Sequence, residues 1–182
     1  MNDSNIPFHY VCTRDEAIEL SKKFDEFWVS NCGCRETGNG CERSRIDVCL
    51  FFKEYKEGSG SNFHKVQKEF LEELFKEAEE KHLVTRPFRD SEDMTKTAGI
   101  CFCCDDCCEY LKTQNDLCDK GTLIEKTDLN KCTDCELCVA VCYFKARKME
   151  DNKLVIEQDN CYGCGLCIDV CAVDCIKMVQ RL

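Results

Sequence analysis

Residues 132–142, CTDCELCVAVC, and residues 161–171, CYGCGLCIDVC, decide how the last third of this chain folds. Cys132, Cys135, Cys138 and Cys142 of the first run recur as Cys161, Cys164, Cys167 and Cys171 of the second, at the 29-position offset from Cys132 to Cys161. Four matched spacings at once mark an internal duplication. A tight Cys-x2-Cys-x2-Cys loop can deliver three thiolates to one tetranuclear iron–sulfur cube, and the fourth must come from elsewhere. The spacing therefore points to two metal-binding halves.

Over Thr122 to Leu182 these runs resemble the bacterial-type two-[4Fe-4S] ferredoxins. In that family each triplet takes its fourth ligand from the other run. The resemblance implies that Cys132, Cys135, Cys138 and Cys171 hold one [4Fe-4S] cluster, and that Cys161, Cys164, Cys167 and Cys142 hold the other. The family usually places proline after the fourth cysteine, whereas Tyr143 and Ala172 stand here. Proline fixes a backbone torsion and binds no iron, so the departure touches local geometry and leaves the ligand count intact. Cys175 reads as a packing residue beside a cluster.

Outward from this unit, 20 cysteines in 182 residues is the density of a secreted disulfide scaffold. Met1 to Tyr10 has no basic start, apolar core or small-residue cleavage site, and no long apolar run exists, so export and membrane insertion are not expected. In a reducing cytoplasm such cysteines indicate metal, and an oxygen-poor one would protect accessible thiolates. The net charge of −10 disfavours nucleic acid, which needs clustered Lys and Arg, and suits docking on a basic patch of a larger redox protein or enzyme complex.

In residues 1–121, Thr13 and Glu16 have the form of a capping box. Ala17, Leu20, Phe24, Phe27 and Trp28 continue it as a helical stripe to Asn31. Glu57 to Ser61 reads as a glycine- and serine-rich loop. A second amphipathic helix is expected from Asn62 to about Lys81, with Phe63, Val66, Phe70, Leu74 and Ala78 on one face. Arg86 and Pro87 follow as its stop, Asp90 to Thr97 as loop. Written as a helix, Cys104, Cys107, Cys108 and Leu111 share one face. The reading is thus α+β: a cysteine-rich, mainly α-helical N-terminal domain (1–121) before a ferredoxin-like two-cluster domain (122–182) with short antiparallel strands and two short helices.

Cys32, Cys34, Cys41 and Cys49 form a candidate third metal site, for zinc or another cluster. Cys101, Cys103, Cys104, Cys107 and Cys108 are alternative contributors, and buried thiols acting as small hydrophobes are the plainer reading. The Cys-x-Cys-Arg at Cys32, a later Cys-Leu-Phe-Phe at Cys49 and the dense run before the ferredoxin unit look like poorly characterised iron–sulfur proteins of strict anaerobes. That resemblance implies architecture and no catalytic residues. With no Gly-rich phosphate loop, no Ser-His-acid set and three histidines (His9, His64, His82), the chain reads as a low-potential electron carrier or accessory subunit rather than an enzyme. The alternative is a redox- or oxygen-responsive regulatory subunit of an oxygen-sensitive enzyme, for example a corrinoid-dependent complex.

Overall fold

Thr13 sets the first helix. In the computed structural model, which describes residues 6–56, 58–113 and 118–181, Thr13 Oγ1 accepts from Glu16 N at 3.2 Å and Glu16 Oε2 accepts from Thr13 N at 2.9 Å. This capping box opens α1 (Arg14–Ser21), after the short strand β1 (His9–Tyr10). The helix stops at Ser21, and Phe27, Trp28 and Val29 lie in a strand, β2 (Phe27–Ser30). Large aromatic and β-branched side chains suit a pleated strand. All four residues of β2 are buried, which leaves no solvated face for a surface helix.

The chain continues through α2 (Gly33–Thr37), β3 (Cys49–Phe51), β4 (His64–Val66), α3 (Lys68–Glu80), β5 (Val84–Arg89), β6 (Thr97–Cys103), α4 (Glu109–Thr113) and β7 (Cys118–Asp119). Then follow β8 (Leu123–Thr127), α5 (Leu137–Ala140), β9 (Arg147–Glu150), β10 (Lys153–Ile156), α6 (Leu166–Asp169) and β11 (Ile176–Gln180). Strands β1 to β7 form one seven-stranded sheet in the order β4-β2-β3-β6-β5-β1-β7. All its pairings are antiparallel except β1 with β7, so the sheet is mixed.

This corrects the expectation of a mainly helical N-terminal region. Beyond Phe27 and Trp28, the helix expected from Asn62 begins as the strand β4 and turns helical only at Lys68, and Cys104, Cys107 and Cys108 stand before α4 rather than on it. Residues 97–103, TAGICFC, alternate in burial-capable side chains with period two, the strand signature; the run of cysteines ends a strand at Cys103, turns, and enters α4 only at Glu109. Arg86 and Pro87 lie inside β5 rather than ending a helix. Arg89 N donates to Phe8 O and Cys12 N to Thr85 O, so odd-numbered residues of β5 face β1. The donor that Pro87 lacks therefore falls against a strand of two residues, where its loss costs least.

The sheet has two unlike faces. On one, Leu50, Ile100 and Phe102 meet Leu71, Leu74, Phe75 and Ala78 of α3 and Ala17 of α1 in the main core. On the other, Trp28, Cys49, Phe51 and Phe88 gather. Gly99 makes this second cluster possible, because a Cβ there would sit 2.4 Å from the Phe88 ring and 2.1 Å from Leu50 O. Phe51 and Phe88 consequently meet with centroids 5.2 Å apart.

The C-terminal region has two small antiparallel sheets, β8 with β11 and β9 with β10. Asp151 and Asn152, both at positive φ (49° and 60°), turn the hairpin of β9 and β10. Of the remaining expectations, those that fall on residues 1–5 and 57 lie outside the described residues. Among the described residues, no helix is long and apolar enough to cross a membrane.

Candidate metal centres

The duplication seen in the spacing extends to the backbone. Around the middle cysteine of each triplet two residues are left-handed: Asp134 (φ 53°) and Glu136 (φ 67°) in the first, Gly163 and Gly165 (both φ 82°) in the second. Lys145 and Asp174, three residues after the fourth cysteines, are left-handed as well (φ 56° and 47°). Successive turns of this kind aim backbone N–H groups into a concavity suited to a negatively charged group. The first triplet has no glycine, and Asp134 is held by bonds from Leu154 N (2.9 Å) and Lys153 Nζ (2.8 Å) instead.

Each triplet closes on its own small cavity. The first is lined by Cys132, Cys135 and Cys138 together with Cys171, and by the apolar Leu154, Val170, Val173 and Ile176. The second is lined by Cys161, Cys164 and Cys167 together with Cys142, and by Val141, Phe144, Ala146 and Met178. Cys175 is 6% exposed, as a packing residue would be. It also borders the first cavity, with Sγ 3.5 Å from Cys171 Sγ.

A buried ion pair stands between the cavities. Arg147 and Glu125 are each 1% exposed and meet at 2.5 Å. Glu125 also accepts from Thr127 Oγ1 (2.6 Å) and Gln158 Nε2 (2.8 Å), which satisfies the carboxylate. Arg147 Nη1 donates to Cys138 Sγ at 3.3 Å, so the guanidinium lies against a sulfur of the first cavity while lining the second. Sequence reasoning passed over this pair, since neither residue stands in a motif.

In the N-terminal region, none of the cysteines is in a disulfide. Of the four cysteines Cys32, Cys34, Cys41 and Cys49, the fold brings Cys32, Cys34 and Cys49 together, whereas Cys41 joins Cys104 and Cys107 of the 101–108 run. Cys41 Sγ is 3.5 Å from Cys104 Sγ, which is 3.5 Å from Cys107 Sγ, and all three lie within 4.8 Å of one another. The loop carrying Cys41 is fastened on both sides. Glu42 N and Arg43 Nη2 bind Asp106 and Asp105 of the turn (2.9 and 2.7 Å), and Ser44 Oγ donates to Glu77 of α3 at 2.7 Å. The hydrogen bond from Cys107 holds the Cys104 thiol down to about 5 and pushes that of Cys107 up.

Arg35 faces this triad. The residue is fully buried, donates to Phe102 O at 3.2 Å and to Arg45 O, and interacts electrostatically with Cys107, Cys41 and Cys104. Among the described residues no carboxylate pairs with it, and its Nε has no hydrogen-bond partner. A guanidinium taken out of water needs anionic partners, and the sulfurs are what it meets.

A second group of sulfurs lines the opposite side of the sheet. The register sets Ser30, Cys49, Cys101 and Arg86 in one row across β2, β3, β6 and β5. Cys103, two residues on from Cys101, shares that face. Cys49 and Cys101 sulfurs are 4.0 Å apart. Cys32 interacts with Cys49 and Cys34, and Cys108 with both Cys34 and Cys103. Cys12 lies apart from both groups, in the main core, and burial pushes its thiol up to about 12.

Tyr143, where the ferredoxin pattern has proline, joins the two regions. It is 5% exposed and sits in the main core with Val141, Phe144 and Leu166 of the C-terminal region and Cys104, Cys107 and Tyr110 of the N-terminal one. Its ring lies under Arg43, and it interacts electrostatically with Cys104 on one side and Cys164 on the other.

Compared with known proteins, residues 131–175 match a family model described as a 4Fe-4S dicluster domain. No curated protein matches the chain.

Proposed function

We propose that the C-terminal region carries two [4Fe-4S] clusters and serves low-potential electron transfer between a larger redox partner and the thiol-rich N-terminal region. Cys132, Cys135, Cys138 and Cys171 would hold one cluster; Cys161, Cys164, Cys167 and Cys142 would hold the other. The observation that carries this reading is the crossing of ligands: each cavity takes three cysteines from one run and the fourth from the other. Each cluster, when bound, would hold or release one electron.

The chain's own residues give the unit a direction. Cys135 is exposed, and the apolar Leu137 and Val173 around the first cavity are 51% and 41% exposed. That end is available to a partner. The walls of the second cavity, Val141 and Phe144, belong to the core shared with the N-terminal region. The net charge of −10 disfavours an added electron, while Arg147 beside Cys138 favours it locally.

In the N-terminal region, Cys41, Cys104 and Cys107 suit one thiophilic ion such as zinc. Tetrahedral Zn–S bonds of about 2.3 Å put sulfurs roughly 3.8 Å apart, close to the spacing observed, and Arg35 supplies the counter-charge. A reducing compartment fits a chain whose cysteines are all free.

Serine exchange of the fourth cysteines tests the crossing. Cys171→Ser should alter the spectrum of the cluster on the first triplet, and Cys142→Ser that on the second, each traced by a paired Cys135→Ser or Cys164→Ser variant. If Cys171→Ser instead perturbs the cluster bound by Cys161, Cys164 and Cys167, the assignment is wrong.

A further inference from the structure

We infer that Cys32, Cys34, Cys49, Cys101, Cys103 and Cys108 form a separate iron–sulfur site on the sheet, distinct from the Cys41–Cys104–Cys107 triad. These six residues line one cleft, with Arg35, Arg86 and Tyr110 beside them, and Cys107 of the triad borders it as well. The cleft is wide and open to solvent, whereas the two C-terminal cavities are small and more closed. One metal ion needs four sulfurs at most in a tetrahedral site. Six sulfurs are more than one ion can hold and suit a polynuclear cluster.

The sheet register is the structural cause. Cys49 and Cys101 are directly opposed, and Cys103 follows on the same face, so three sulfurs are fixed to a rigid floor. Cys32 caps α2, whose first turn carries Cys34, and Cys32 N is tied to Ile46 O at 2.8 Å. Cys108 precedes α4 and completes the opposite wall. Ser59 Oγ donates to Cys49 Sγ at 2.9 Å, which orients that sulfur much as the outer hydrogen bonds of a metal site do.

The charges agree. Arg86 is 4% exposed, donates to Cys108 Sγ at 3.7 Å and stacks over Tyr110 with 4.1 Å to the centroid. Its electrostatic neighbours are Cys103, Cys118, Cys101 and Cys108. Fully buried Arg35 brings a second cation to the wall, with its Nε unpartnered among the described residues. A thiolate-bound cluster is anionic, and Arg86 lies against its sulfurs. Cys32, Cys34 and Cys101 are half-exposed, so the cluster would be reachable from solvent.

The test is iron and acid-labile sulfide per chain in the anaerobically reconstituted full-length protein, in parallel for Cys34→Ser, Cys49→Ser and Cys104→Ser. The wild type should hold at least about four irons, with matching sulfide, beyond the roughly eight of two cubanes. Cys34→Ser and Cys49→Ser should lose that excess while keeping the rest, and Cys104→Ser should keep it. Because Cys34 is half-exposed, Cys34→Ser decides the matter if Cys49→Ser fails to fold. Iron and sulfide equal in the wild type and Cys34→Ser, or zinc without sulfide as the only metal that Cys34→Ser loses, would each overturn the inference. Failure of the C-terminal assignment would show separately, as loss of iron that Cys34→Ser does not share.

Discussion

The guanidinium carbon of Arg43 lies 5.3 Å from the ring centroid of Tyr143, which joins a loop of the N-terminal region to the residue after Cys142. Tyr143→Ala should destabilise the protein by about 3–5 kcal/mol, as for other buried aromatic truncations. The Tyr143 hydroxyl is buried without a hydrogen-bond partner among the described residues. Tyr143→Phe should therefore be neutral, or stabilising by about 1 kcal/mol. Denaturant unfolding of both variants measures this, and a large loss for Tyr143→Phe would show that the hydroxyl is bonded.

Arg147 and Glu125 should behave as one unit. Removing either alone leaves a buried charge, at a cost of about 3–5 kcal/mol. The double variant Arg147→Met/Glu125→Gln should cost clearly less than the two single effects added. A double-mutant cycle in denaturant measures the coupling, and additive losses would rule out the pair as a unit.

Arg35→Met should weaken metal binding at Cys41, Cys104 and Cys107 by about 10–100-fold, the range for supporting residues of metal sites. Competition against a chromogenic chelator reads this directly. Unchanged affinity would mean that the guanidinium only fills space.

Stability at low pH should depend on Asp93. Hydrogen bonds from Thr95 and Lys96 hold its carboxyl at about 2, below the ordinary 3.8. A carboxyl lowered on folding contributes stability above its unfolded value, and loses it as pH falls from about 3.8 towards 2. Asp93→Asn should flatten the stability curve in that window and change little at pH 7 beyond a constant offset. Acid unfolding followed by circular dichroism tests it.

What was legible in the sequence was local and periodic. The paired runs and the Thr13 capping box each depend on a few neighbouring residues, and the capping box stands where the pattern put it. The seven-stranded sheet was not legible, because it depends on pairings such as Cys49 with Cys101 and Val84 with Cys103, between segments far apart in the chain. The alternation in 97–103 is the available signal, but its cysteines read as metal-site contributors, and the helical spacing of Cys104, Cys107 and Cys108 just beyond it suggests a helix. Arg35, Arg86 and Tyr143 stand out in the sequence for other reasons, in the Cys-x-Cys-Arg, as an expected helix stop and in place of a proline; their roles beside sulfurs come from burial that only the fold assembles.

The most direct measurement of the central claim is an anaerobic reductive titration of the full-length protein followed by EPR. The expected result is two [4Fe-4S]⁺ signals per chain, assigned to the C-terminal unit by their loss in Cys135→Ser and Cys164→Ser variants. A protein that takes up no electrons at those cysteines, or that shows a single cubane signal there, would contradict it.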